Sequence, residues 1–244
     1  MRRSAIAAIF AASPLLFAAT ASFSGDRAET PVVVELFTSQ GCSACPPADE
    51  ELARLAERDD VIALSLHVDY WDYLGWKDAF GSAEHTKRQR AYSEAMHERI
   101  IYTPQMVFQG GEHVVGSQHE KVRAAVERQL AHPPAARVTL QRDGDEIQIA
   151  IDPTGAAPAS DGPEAQVSLA YFTAAEKVRI PRGENSGRNV VYRNVVKGWV
   201  ELGPWRGRAL NLTTRRPADA DGAAVLVQAG AGGPILGAGQ ISLR

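Results

Sequence analysis

Cysteine is nearly absent from this chain of 244 residues: Cys42 and Cys45 are the only two, and neither cysteine nor histidine follows His132. A multi-disulfide scaffold is thereby excluded, and the second half is left without thiol or imidazole chemistry. No basic run occurs, and 26 Lys and Arg against 29 Asp and Glu give a formal net charge of −3, which argues against a nucleic-acid partner. No apolar run reaches the ~20 residues that cross a bilayer. G-x-S-x-G and H-E-x-x-H are both missing, which removes the best-known hydrolase signatures. The glycine-rich stretches 182–188 and 230–234 fit no phosphate-binding pattern and read as loop turns. There is no internal repeat.

The two cysteines that are present form C-x-x-C, Cys42-Ser43-Ala44-Cys45, directly after the apolar run 32–37. Two sulfurs on one helical turn at the end of a strand suit reversible disulfide chemistry, because a helix start stabilises a thiolate through its unpaired N–H groups and dipole. Pro46 and Pro47 fit a first helical turn. Haem attachment is excluded, since Pro46 stands where C-x-x-C-H needs histidine. A static disulfide staple and a metal site remain as alternatives.

Residues 1–21 read as an export signal: Arg2 and Arg3 supply charge, residues 5–19 are apolar, and Ala19-Thr20-Ala21 fits a small-residue cleavage site. The expected location is periplasmic or secreted, with no membrane span left after cleavage, where a paired cysteine is chemically at home. The remaining chain divides by charge. Residues 22–131 carry 11 basic and 18 acidic side chains, residues 132–244 carry 13 and 11.

Periodicity makes the same division. Residues 32–37 and 61–66 read as strands buried on both faces, with the helical spacing of residues 48–58 between them, a βαβ unit with parallel strands. A helical insertion is expected over about 70–99. A hairpin turning at Gly110-Gly111 follows, then a helix opened by a capping box at Ser117 and Glu120. His132-Pro133-Pro134-Ala135 marks a linker at 132–136. From 137 to 244 short runs of period two, separated by Gly, Pro and Asp, predict a β-sandwich-like domain, with 153–165 as a loop.

This order of elements resembles the thioredoxin-like superfamily over residues 22–131. More closely, Glu35-Leu36-Phe37-Thr38-Ser39-Gln40-Gly41-Cys42-Ser43-Ala44-Cys45-Pro46-Pro47, His67-Val68-Asp69-Tyr70-Trp71-Asp72-Tyr73-Leu74-Gly75-Trp76 and Tyr102-Thr103-Pro104-Gln105-Met106 resemble a family of uncharacterised secreted bacterial proteins in which such a domain precedes a β-rich region. The resemblance implies an α/β thioredoxin-like domain followed by an all-β one, and a cis Pro104 facing the cysteines. Thr103 and Trp71 are then expected to line a substrate groove, and Glu35 is either a buried acid that moves protons or, through a register shift, exposed at the surface. Because parallel strands end at one edge of the sheet, His67, Asp69 and Trp71 are expected near Cys42.

The sequence thus predicts an exported thiol–disulfide oxidoreductase that exchanges disulfides with a protein or small-molecule partner and needs no cofactor. Cys42 is expected to be exposed and attacking, and Cys45 shielded and resolving. The Ser-Ala dipeptide, with no histidine, points to the reducing part of the span of known couples, ~−270 to −120 mV. Two readings of other classes stand beside it. One is a copper or zinc module using Cys42, Cys45 and His67; the other is a noncatalytic protein-binding module with a structural disulfide. The β-rich half, lacking Cys and His, is expected to be dispensable for chemistry but not for partner choice.

Overall fold

The computed structural model describes residues 30–155 and 164–244. The export signal, its cleavage after Ala21 and the middle of the expected 153–165 loop lie outside the described residues. The βαβ unit forms as its periodicity requires: β1 (Val32–Thr38), α1 (Pro46–Leu55) and β2 (Val61–His67), with β1 and β2 parallel from Val32↔Val61 to Thr38↔His67. Antiparallel to β1 on its other side lies β3 (Gln105–Phe108), which turns into β4 (Glu112–Val115).

Both faces of β1 are covered, which is why it reads as an unbroken apolar run. Val32, Val34 and Leu36 pack against α1 and α3 (His119–Leu130); Val33 and Phe37 pack on the opposite side with Tyr92 of α2 (Ala83–Ala95). Helix α3 starts from Gln118 with no side-chain cap, so the capping box read at Ser117 is not formed.

Seven strands follow: β5 (Ala136–Asp143), β6 (Glu146–Pro153), β7 (Ala165–Arg179), β8 (Asn189–Trp205), β9 (Leu210–Arg215), β10 (Gly222–Ala229) and β11 (Ile235–Ser242). They do not make a free-standing sandwich. The strand order β11-β10-β7-β8-β2-β1-β3-β4 is one eight-stranded sheet that runs across the expected linker, and β5-β6-β9 form a separate three-stranded sheet. The junction is narrow: Ser65 pairs with Val195, and the Asn194 carboxamide donates to the Ala63 carbonyl at 3.0 Å. A sandwich does exist locally. Ile147, Ile149 and Ile151 of β6 pack on Val167, Leu169, Val225 and Val227 of the large sheet. The ends of that sheet also approach each other, because Ile235 N–H donates to Gln109 O and the Gln109 amide donates to Ile235 O. The result is a mixed α/β fold built on one large, mostly β sheet.

Candidate functional site

The site begins where β1 ends. Two successive turns, Cys42 N–H to Ser39 O at 3.1 Å and Cys45 N–H to Cys42 O at 3.2 Å, carry the chain into α1. Cys45 is the N-cap, and Pro46 and Pro47 fill the first turn as the sequence predicts. The two cysteines form a disulfide, with their α-carbons 5.4 Å apart. Both are enclosed: Cys42 is 1% and Cys45 0% exposed, while Ser43 and Ala44 between them face solvent. The expectation of an exposed Cys42 is therefore corrected. A residue 143 positions away, Asn185, is bonded to the Cys42 carbonyl, a contact that no local pattern records.

One helical turn past Cys45, Asp49 places its carboxyl on the buried stripe of α1, and its N–H donates to Cys45 O. Thr38 Oγ1 donates to Asp49 Oδ1 at 2.8 Å, while Oδ2 is buried without a partner. Burial dominates here, resisted by the His67 charge and the Thr38 hydrogen bond, and pushes the Asp49 pKa up to about 7. His67 shares this face because its register partner is Thr38. Its Nδ1 bonds Asp78 Oδ2 at 2.7 Å, its Nε2 has no partner, and the rings of Tyr192 and Phe80 pack on it edge-on, with centroids 4.6 and 5.2 Å away. Burial raises the Asp78 carboxyl, but the His67 charge and hydrogen bond, with the N–H groups of Gln40 and Phe80, outweigh it and hold Asp78 below the ordinary value.

Glu35 lies on the other face of β1. Arg88 Nε and Nη2 bind its carboxylate at 2.6 and 3.0 Å, and the Tyr92 hydroxyl also donates to it. Glu35 is buried, yet the acid on the motif side of β1 is Asp49, carried by α1 itself. Asp69 accepts from Thr86 Oγ1 at 2.6 Å, at the start of α2. Trp71 does border the motif: its Nε1 donates to Thr103 Oγ1 at 2.8 Å, and a Cβ added at Gly41 would lie 3.1 Å from Trp71 Cβ. The Thr103–Pro104 bond is cis. Pro104 stands one step beyond the Phe37↔Gln105 pair, at the end of β1 from which the motif leaves.

Sequence reasoning missed Asp49, Asp78, Tyr192 and Asn185. The last comes from the β7–β8 loop: its carboxamide nitrogen donates to Gln40 O at 3.0 Å and Cys42 O at 2.8 Å, and the residue is 2% exposed. Beside it, Trp76 Nε1 donates to Gln40 Oε1 at 2.8 Å. The β-rich half thus touches the motif directly. Among the described residues, no group of three or more His, Cys, Asp or Glu is placed to hold a metal ion.

Fold and site define a mixed α/β protein with an enclosed C-x-x-C disulfide at the end of a parallel strand. The chain belongs to the family described as "Protein of unknown function (DUF1223)", which matches residues 33–228 and so spans both halves. A crystal structure of a protein from Agrobacterium tumefaciens is 33% identical, covers 87% of this chain and 94% of its own, and superposes with a TM-score of 0.75. HBP35 of Porphyromonas gingivalis, 14% identical over 88% of this chain and 76% of its own, has a TM-score of 0.61 and is similar in fold alone. No match was found among curated proteins. Among the described residues, no helix is long and apolar enough to cross a membrane.

Proposed function

We propose that this chain is a thiol–disulfide oxidoreductase of thioredoxin-like architecture, acting outside the cytoplasm on protein or small-molecule disulfides. The observation that carries the reading is the pairing of the Cys42–Cys45 disulfide with the Asp49 carboxyl one turn behind it, buried and raised to about 7. An acid near neutrality can both take and return a thiol proton at working pH. In the reduced state the Cys42 thiolate attacks a partner disulfide, forming a mixed disulfide and expelling one partner thiolate. Asp49 takes the proton of Cys45. The Cys45 thiolate then attacks Cys42 Sγ, expelling the second partner thiolate and restoring the Cys42–Cys45 bond, so the partner disulfide gains the two electrons. His67 and Asp78 set the charge around Asp49, and Trp71, Thr103 and Pro104 form the rim that meets the partner. Glu35 has no part in this scheme, its carboxylate being bound by Arg88.

Burial of both sulfurs favours a second reading, a permanent staple in a noncatalytic binding module. A glutathione redox titration followed by alkylation and mass spectrometry separates the two. A midpoint within ~−270 to −120 mV is expected of an exchanging couple, and one below about −300 mV is the mark of a structural bond and overturns the proposal. In the same assay Cys45→Ser should accumulate mixed disulfides with partners and Cys42→Ser should not; equal trapping would remove the assigned order of attack.

A further inference from the structure

We propose that residues 181–188, the tip between β7 and β8, are a latch over the disulfide, with Asn185 as the residue that decides which partners gain access. This rests on the redox reading above. The segment is a small turn closed on itself, so it can move as a unit: Ile180 N–H donates to Arg188 O at 2.9 Å, Gly187 N–H to Ile180 O at 2.7 Å, Ser186 N–H to Gly183 O at 3.1 Å, Arg188 N–H to Asn185 O at 3.2 Å and Ser186 Oγ to Pro181 O at 2.9 Å, whereas its hydrogen bonds to the motif come from the Asn185 side chain. Its flanks are solvent-facing, for Arg182, Gly183, Glu184, Ser186, Gly187 and Arg188 are exposed and Asn185 alone is buried. That one carboxamide caps the carbonyls of Gln40 and Cys42, which flank the enclosed sulfur.

The consequence is selective. With the latch down, both cysteines are almost fully buried and Asn185 is bonded to the Cys42 carbonyl; on this proposal the segment lifts to admit a partner. Lifting strips the two carbonyls of their donor. An extended polypeptide brings N–H groups that replace it, as strand-like recognition does; a small disulfide without amides cannot. The partner that fits is therefore a protein disulfide within an extended segment. Asn185 positions the latch and takes no part in bond exchange.

The test uses oxidised full-length protein and a water-soluble phosphine, which reduces the disulfide to two thiols while water oxygen converts the phosphine to its oxide. This readout is independent of any oxidoreductase activity. Asn185→Ala and the isosteric Asn185→Asp each remove the two hydrogen bonds, and each should be reduced faster than wild type by roughly tenfold or more. Rates for bis(2-hydroxyethyl) disulfide, measured on the reduced proteins, should rise by a similar factor, and those for a peptide disulfide by less. Near-UV circular dichroism checks that the variants are folded. Should they not fold, hydrogen exchange in the wild type decides: the Asn185 side-chain amide protons, bonded to Gln40 O and Cys42 O, should exchange faster than the β7 and β8 amides. Equal phosphine rates in folded variants and wild type, or Asn185 side-chain exchange only at the rate of global unfolding, overturns the latch. Faster phosphine reduction together with a midpoint below about −300 mV keeps the latch and removes the oxidoreductase.

Discussion

Asp49 links the chemistry of the site to the stability of the fold. Its folded pKa of about 7 stands above the ordinary 3.8, so between those values the unfolded chain has lost a proton that the native state keeps. Stability therefore falls as pH rises through that window, by an amount on the order of 4 kcal/mol once both states are ionised. Asn in place of Asp49 keeps an acceptor for Thr38 Oγ1 and removes the charge. Oxidised Asp49→Asn should unfold at higher urea than wild type at pH 8, and the difference should shrink toward pH 4. If the gap were the same at both pH values, Asp49 would not be the group that titrates. The cysteines and Pro104 were legible because their spacing is itself the signal. Asp49 left a fainter trace, an acid four residues after Cys45 on the stripe of Ala48, Leu52 and Leu55. Asn185 left none, since a polar residue among glycines looks like any turn until it folds onto a partner 143 positions away in the sequence.

Helix α2 shows an element held by polar contacts rather than apolar ones. Its buried side is His85, Thr86, Gln89, Tyr92 and Ser93, and Gln89 Nε2 donates to Tyr102 O at 2.7 Å and Gln105 Oε1 at 2.8 Å. Burial holds His85 down at about 4, so its neutral ring pairs with the His67 carbonyl at 2.9 Å. The strongest tie is Arg88 on Glu35, where the carboxylate is 1% exposed. Arg88→Met would strand that charge, and a loss of about 3–5 kcal/mol is expected in urea unfolding at pH 7. The double variant Glu35→Gln/Arg88→Met should regain most of it, whereas equal loss in both would show that packing of the arginine on Trp199, 4.4 Å from the ring, matters more than charge. Such a helix shows in the sequence as a charged stretch opening at Ser82, whose Oγ accepts from Glu84 N–H at 3.1 Å, but hides its buried face, because no apolar stripe marks it. Strand β11 was illegible for the opposite reason: Gly237 and Gly239 dilute its pattern, and both are needed, since a Cβ at either would collide with the carbonyls of Ala136 and Val138.

At the scale of the whole molecule, the linker at 132–136 is where composition changes but not where the structure divides. Seven of the fifteen residues in the central cluster come from beyond it: Ala170, Phe172, Val196, Ala224, Leu226, Ile235 and Ala238. They pack with Val33, Phe37, Ile62 and Leu64 from the βαβ unit. Nothing local records this, because the two halves join through one strand pairing, the Gln109–Ile235 hydrogen bonds and side chains, all between residues far apart in sequence. The four larger ones, Phe172, Val196, Leu226 and Ile235, contribute roughly 6–12 kcal/mol between them at ~1.5–3 kcal/mol each, close to the whole stability of an ordinary domain, ~5–15 kcal/mol. A fragment ending at Ala131 would expose that face, free the edge of β2, and remove both Tyr192 from His67 and Asn185 from Cys42 O. It should bind a hydrophobic dye, lack near-UV circular dichroism and be reduced by a phosphine as fast as an unfolded peptide; adding the 132–244 fragment should restore order and protection together. A cooperative unfolding transition in the short fragment alone would mean that the βαβ unit is self-sufficient, and that the β-rich half shapes access to the disulfide without supporting the fold that holds it.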